Sequence, residues 1–467
     1  MSDVSGPIPA DLVPPSGLLW AGMARREITP PVGIYARMWG AAAGDVAEGI
    51  HRPLYATVLA MSEGADRPPL LLASMDLGWW QRSEDEWHVR GGLIEGLHLD
   101  PARVMVACVH THAGASICLE DADKPGGNLI GGFLDQVRAG LIEAAREALA
   151  RLAPVIMTWA YGRCDLAANR DLPEPGGSRV VCGFNPAHPA DDTVLVGRIC
   201  DSAGRIKATL VNYACHPTTL AWENRLISPD YVGAMRALVE RDTAGAPCLF
   251  LLGAAGDLAP REQYTGDTAL ADANGRRLGY AVLAVLESML PPGRCLTYAG
   301  LVESGAALAV WARKTFAPSS VVLAERIDVE LPLKPLPAED QVRREMECCG
   351  DRVLVERLRR KVRVLRLVGS GPSCRMPAWI WRVGGAVFVG QANEAYSGLQ
   401  VELRRRFPQV AVAVLNLVNG SCGYLSPPEL HDSDIYQVWQ SPFDRAALPG
   451  LIAACERTIG ALLARGE

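Results

Sequence analysis

No two of the thirteen cysteines in this 467-residue chain have C-x-x-C spacing. Their odd number and scatter argue against a disulfide framework. Cys108, Cys200, Cys215 and Cys248 sit in apolar, strand-like runs and read as reduced core residues, the usage expected of a cytoplasmic protein. No basic segment followed by an apolar one opens the sequence, so no signal peptide is expected. No uninterrupted apolar stretch approaches the length of a membrane span. Strong charge of either sign is also missing: the net charge of -6 and pI near 5.8 give no electrostatic reason to bind nucleic acid or anionic lipid. Without internal repeats or low-complexity linkers, a single large domain is expected, with a small-molecule partner. The oligomeric state is not legible.

A hydrophobic content of 49% beside 21% charged residues is globular. Proline-rich residues 1–18 are expected to form an N-terminal arm, with the fold proper over 19–467. Apolar spacing predicts strands at 69–75 and 104–109, then a helix at 134–152. Strands follow at 155–161, 193–199 and 207–215, a helix at 231–241, a strand at 247–252 and a helix at 272–290. The runs 295–309 and 320–333 read as strands. The charged stretch 337–364 reads as a surface helical insertion, since charge runs usually form solvated faces. Strand then helix returns at 386–389 and 394–406, a strand at 410–417, and a terminal helix at 446–464. The class is α/β, with mixed sheets and flanking helices.

The densest chemical signal is the apolar run Val104–Val109 closing in His110-Thr-His112. On a strand, side chains two apart share a face, so both imidazoles are predicted to address one site. His216 repeats the design, with Pro217 ending the run behind it. Neutral imidazole is the commonest metal ligand in proteins. Any one such histidine is more often a satisfied core or surface group, but three at strand exits point to metal. Other polar residues collect at the same kind of position, where α/β folds place ligand sites. They are Asp76, the Asn169-Arg170 pair, Asp230, Asp257, Glu394 and Tyr424.

In this order and context these segments resemble the neutral ceramidase family of zinc amidases, over most of the chain. Ala24–Pro30 is similar to that family's opening strand and His51–Ala56 to its next signature. Val109-His-Thr-His-Ala-Gly114 is similar to its His-Thr-His-Ser-Gly motif, Asn169-Arg170 to its Asn-Arg pair, and Ala214-Cys-His-Pro217 to its second histidine motif. Ser228–Gly233 and Gly256–Pro260 stand for its Ser-Gly-Asp-Asn-x-Gly and Gly-Asp-Val-Ser-Pro segments. Each motif alone is weak; their collinear succession is specific.

The resemblance implies one zinc ion held by His110, His216, Glu394 and Tyr424. Two imidazoles, a carboxylate and a phenolate form an N/O set suited to zinc. The bland alternatives are a helix N-terminal carboxylate for Glu394 and a tyrosine packed in a glycine-rich turn for Tyr424. His112 is then implied to be the catalytic partner of the reacting water or oxyanion, and Arg170 the substrate-side arginine. Asp76, Asp230 and Asp257 are candidate acceptors fixing histidine tautomers, or N-cap and turn residues.

Two departures shape the expected function. Where the family has a catalytic serine, this chain has Ala259, and with so few residues after Tyr424 no counterpart of the immunoglobulin-like C-terminal domain of secreted ceramidases is expected. The expectation is therefore a cytoplasmic zinc hydrolase acting on an amide, N-acyl or cyclic, of a small soluble substrate. A lactonase or esterase, and a metal-binding protein without turnover, are the alternatives. The loops 120–131 and 172–192 are expected to set specificity. Trp79-Trp80 and Trp379/Trp381 read either as core or as the lining of a compact pocket.

Overall fold

The computed structural model describes residues 11–465. Twelve strands build two sheets. In chain order they are β1 (Ser16–Glu27), β2 (Tyr55–Ser62), β3 (Leu70–Met75), β4 (Val104–Cys108), β5 (Ala153–Arg163), β6 (Thr193–Cys200), β7 (Ile206–Tyr213), β8 (Cys248–Leu252), β9 (Val322–Pro332), β10 (Ser373–Val383), β11 (Ala386–Gln391) and β12 (Ala411–Leu415). The first sheet has the order β8-β7-β6-β5-β1-β2-β3-β4 and the second β9-β10-β11-β12. Pairing is mixed. The β3–β4, β7–β8 and β11–β12 pairs are parallel and the rest antiparallel.

Both faces of the first sheet are covered, so its strands are apolar almost throughout. Along β2, Ala56, Val58 and Ala60 face outward onto helices, whereas Leu59 and Met61 face the second sheet. Trp159, Trp379, Trp381 and Phe388 fill the space between the sheets. The indoles of Trp379 and Trp381 donate to the carbonyls of Pro101 and Ala102, which settles this pair as core.

The outer face of the first sheet carries α1 (Ser83–Leu97), α2 (Ile130–Ala150), α3 (Tyr231–Asp242) and α4 (Thr268–Ser288). An antiparallel pair, α5 (Glu339–Cys348) and α6 (Arg352–Val368), leaves the second sheet, which is backed by α7 (Gly398–Arg406) and, beyond the short α8 (Tyr436–Gln440), α9 (Ala447–Ala464). The result is an α/β/β/α arrangement in one unit.

The first sheet curls until its edge strands β4 and β8 approach each other. Residues 416–419, directly after β12, run into that gap. Asn416 donates its N–H to the Leu252 carbonyl (3.1 Å) and Asn419 its own to Val106 (2.9 Å). The Asn419 amide also accepts from the Val106 N–H and donates to the Val104 carbonyl. Edge groups of β4 are thereby satisfied by a segment of the other sheet.

Several expectations change. Residues 1–10 of the arm lie outside the described residues, but 11–18 is not a free arm: Asp11–Leu12 pairs with Thr297 and Leu296, and β1 begins at Ser16. Helix α1 was not foreseen because its apolar positions are interrupted by three glycines and a charged first turn. Residues 295–309 are not one strand; the run Arg294–Glu303 turns back as Ala307–Thr315. Helix α9 is long and apolar enough to cross a membrane, which the reading of the chain did not register. It nevertheless buries Leu448, Leu451, Cys455, Ile459 and Leu462 in the second core and ion-pairs Glu456 with Arg406 on its outer side, the pattern of a core helix.

Helices α3 and α4 touch so closely that a Cβ at Gly275 would lie 2.2 Å from the Tyr231 carbonyl oxygen. Gly275→Ala is predicted to destabilise the chain by about 1–3 kcal/mol, read as a lowered urea midpoint. An unchanged midpoint would show that the helices separate freely.

Candidate active site

Every candidate metal ligand follows the C-terminal end of a strand belonging to a parallel pair, where backbone polarity and loop space make sites. His110 and His112 follow β4, His216 follows β7, Glu394 follows β11 and Tyr424 follows β12. The alternation argument for His110 and His112 does not hold, because β4 ends at Cys108. His110 is left-handed, with φ of 73°, a conformation costly for a residue with a Cβ. Its N–H donates to Leu77 (2.8 Å), and this bend brings the two rings to 4.6 Å between centroids. Glu394 is not in a helix first turn either. It pairs with Tyr424 as a two-residue parallel strand.

The imidazoles of His110, His112 and His216 form a group that could hold a metal ion, with donor nitrogens all within 4.8 Å of one another. Glu394 stands among them: its Oε2 lies 3.2 Å from His110 Nε2 and 3.0 Å from His216 Nε2. Tautomers follow from the other ring nitrogens. His216 Nδ1 contacts the carbonyls of Ala255 (2.6 Å) and Leu258 (3.1 Å), and His110 Nδ1 that of Gly78 (3.3 Å). A carbonyl only accepts, so each Nδ1 carries the proton and each Nε2 presents a lone pair.

Those lone pairs point at a carboxylate oxygen. A proton on His216 would resolve the conflict, but burial, with Arg170 nearby, lowers its pKa to about 4. Burial opposes ionisation of Glu394, and its pKa falls well below the usual carboxylate range only through positive charge and N–H donation at His110 and His216, a role that facing lone pairs leave to a cation. A neutral His216 and a buried carboxylate thus face each other beside the His110 ring, and a shared cation satisfies all three. On donor chemistry the residues fit a divalent metal with N/O preference. Tyr424 adds a buried phenol whose pKa is pushed well above its ordinary value, first by burial and then by Glu394.

His112 sits between Trp39 and Trp79, with ring centroids at 5.1 and 5.0 Å, and its Nε2 is 3.3 Å from His110 Nε2. Its Nδ1 is buried without a hydrogen-bond partner. Burial, followed by His110 and His216, depresses its pKa well below the ordinary value, leaving it neutral.

The other sequence candidates are placed differently from expectation. Arg170 is buried behind Tyr424; its Nε and Nη2 donate to the Gly256 carbonyl at 3.1 and 2.8 Å and its Nη2 contacts the Tyr424 hydroxyl at 3.3 Å. It supports the tyrosine and does not line the cavity beside the histidines. None of the three aspartates touches a histidine. Asp76 forms a buried two-pronged pair with Arg236 (3.1 and 2.6 Å). Asp230 caps α3 through the Tyr231 N–H and holds the Leu220 N–H, fixing the loop behind His216. Asp257 accepts from the Ser397 N–H and hydroxyl, bracing the turn after Glu394. Backbone carbonyls do the tautomer work instead. Ala259 is buried in a short strand opposite Ala168, beside the Leu258 carbonyl that holds His216.

A cavity of about 80 Å³ opens beside the group, lined in part by Trp79, Trp80, His112, Arg360, Tyr436 and Gln440. It adjoins a groove of about 320 Å³ that shares Trp80, Gln81 and Arg363 and reaches Glu120. The charged stretch read as a solvated insertion is thus a cover over the site, with Arg360 and Arg363 of α6 on its inner side. Its apolar Leu358, Val362 and Leu365 pack on Val342 of α5, so the periodicity records the helical pair and not the surface it covers. Trp79 and Trp80 both line the pocket, and Trp39 was missed because nothing local distinguishes it.

Neither protein-family models nor curated proteins match this sequence. Solved structures do. One described as a ceramidase complexed with C2 superposes with a TM-score of 0.69 at 16% identity, covering 97% of this chain and 76% of that one. The neutral ceramidase from Pseudomonas aeruginosa gives 0.67, again at 16% identity, over 97% and 75%. The chain has a neutral ceramidase-like fold.

If the cation sits where the lone pairs meet, His216→Ala should release it while His112→Ala retains it, as measured by elemental analysis of purified protein. Equal loss from both variants would make His112 a ligand. Tyr424→Phe should weaken metal retention with the fold intact. Acid dependence follows from His216: its folded pKa of about 4 lies below the unfolded 6.5. The unfolded chain therefore binds the extra proton first, and stability of metal-free protein, full above pH 6.5, should fall between pH 6.5 and 4. His216→Gln should flatten that loss; an identical pH profile would contradict the assignment.

Proposed function

We propose that this protein is a zinc-dependent hydrolase that cleaves an amide bond, N-acyl or cyclic, of a compact soluble substrate. The observation that carries the reading is the convergence of His110 Nε2 and His216 Nε2 on Glu394, on the fold of amide-cleaving neighbours. His110, His216, Glu394 and Tyr424 would hold one zinc ion per chain. Zinc bound there would supply Lewis acidity toward a carbonyl oxygen and lower the pKa of a water molecule.

This chain's own groups supply the rest. His112 is neutral, held between two indoles and free of hydrogen bonds at Nδ1, so it is fit to take a proton from water and return it to the leaving nitrogen. Arg170 positions the Tyr424 hydroxyl from behind. Ala259 offers no hydroxyl, so proton transfer rests on His112. The small cavity and its helical cover favour a compact ligand over a lipid. Thirteen unpaired cysteines suit a reducing cytoplasm.

A second assignment of the ligands has its own support: His112 belongs to the same three-imidazole group and would serve as a ligand in place of Tyr424. Kinetics separate the two. With His112 as the proton carrier, His112→Ala should keep zinc and lose about 10²–10⁴-fold in turnover. The substrate panel should pair short N-acyl and cyclic amides with matched esters and lactones, alongside ceramide in detergent micelles. Preference for the small amides supports the proposal. Faster esters or lactones would make it an esterase, efficient ceramide cleavage would restore the lipid substrate, and zinc without any turnover would leave a binding protein.

A further inference from the structure

The sequence nominated Arg170 to meet the substrate, but the structure turns a different arginine toward the cavity. Arg360 of α6 lines the space beside His110 and His112, with its guanidinium 5.4 Å from the Trp79 ring centroid. Trp79 in turn leans over His112. Of the two arginines of this helix that line the cavity, Arg363 is neutralised by Glu120 and Asp121. Arg366 pairs with Glu120 and Glu339 and Arg352 with Asp45, while Arg357 and Arg359, without a carboxylate partner among the described residues, lie outside the cavity lining. Arg360 has no carboxylate within 4.0 Å among the described residues. Its one hydrogen bond, to the Met38 carbonyl, is long at 3.4 Å. A guanidinium has five N–H donors in a fork that matches a carboxylate. Half-buried here, it keeps most of that capacity directed at the pocket.

The remaining charges of the cavity do not supply its partner. Glu394 is engaged by two histidines, and the other ionisable lining groups are His110, His112, Arg363, Tyr424 and Tyr436. Among the described residues Glu394 is the one carboxylate that lines this cavity, and the size of the space admits a small group.

We infer that Arg360 binds a carboxylate of the substrate, which makes the substrate class a short N-acyl compound with an acid group near the scissile amide. The term substrate rests on the hydrolase reading above; the anion site itself does not. Among the described residues, only Arg360 of the guanidiniums that line the cavity lacks a carboxylate, and one such fork matches one monoanion, whereas a phosphate dianion would call for a second free donor group there. Trp79 keeps the guanidinium over the pocket by a cation–π contact, so Arg360 determines specificity without taking part in bond cleavage.

The test uses full-length protein in two arms. In the first, N-butyrylglycine is compared with the neutral N-butyrylethanolamine for wild type, Arg360→Gln and Arg360→Lys. The acid should be preferred by about tenfold or more in kcat/KM, mainly through KM, the size expected of a charge-assisted hydrogen bond. Gln should remove the preference, and Lys should keep part of it as a point charge without the fork. In the second arm, calorimetry measures binding of glutarate, glutaramide and inorganic phosphate to the same proteins. Glutarate should bind about tenfold weaker to Arg360→Gln, and glutaramide poorly to all three. If neither amide is cleaved while that glutarate difference persists, the hydrolase reading falls and the carboxylate site stands. If both amides are cleaved equally and glutarate ignores the substitution, the inference is overturned while the hydrolase reading survives. Phosphate binding more tightly than glutarate would overturn the choice of carboxylate.

Discussion

Two imidazole lone pairs turned onto one buried carboxylate oxygen form the constraint around which this structure is arranged. The orientation is enforced from outside the group: carbonyls of Gly78, Ala255 and Leu258 hold each Nδ1–H, leaving each Nε2 no choice of role. Burial removes the option of a proton on His216. A positive charge placed among them turns mutual repulsion into ligation, so the geometry is built for a cation.

Holding that geometry requires strands from distant parts of the chain. His110 leaves the edge strand β4 and His216 leaves β7 beside the opposite edge, and they meet because the first sheet curls. Glu394 and Tyr424 come from the second sheet and pair with each other. Residues 416–419 tie the two sheets, since Asn416 bonds to the end of β8 and Asn419 to β4. The tight backbone is recorded in positive φ at His110, Leu417 and Asn419. Such strain persists only where surroundings over-determine it, and here they bring His110, Glu394 and Tyr424 together. The paired Asp76 and Arg236, the Asp230 cap and the Asp257 brace hold the loops that carry the site, at one remove from the chemistry.

Much of this was legible in the chain because local rules govern it. Apolar runs closing in His110, His216 and Glu394 announced strand ends, and the collinear motifs anticipated the neutral ceramidase-like fold that superposition shows. What was not legible depends on tertiary contact. The left-handed turn at His110 comes from its bond to Leu77, which no spacing rule contains. The aspartates looked equivalent in sequence, yet their partners, Arg236, Leu220 and Ser397, are distant or ordinary residues. Arg170 lies behind Tyr424 and Arg360 lines the cavity because the exposure of an arginine depends on which helix covers the pocket. The stretch 337–364 was read by its charge as solvated, yet its apolar stripe closes α6 on α5 while its charges, Arg352, Glu356 and Arg363, pair with Asp45, Arg37, Glu120 and Asp121 of the body.

The most direct measurement is a crystal structure of the full chain with anomalous diffraction collected on both sides of the zinc absorption edge. The account predicts one zinc peak, bonded to His110 Nε2, His216 Nε2 and Glu394 at about 2.0–2.2 Å, with the Tyr424 hydroxyl completing the shell and His112 outside bonding distance. No peak among these residues, with the two imidazoles turned away from Glu394, would contradict it.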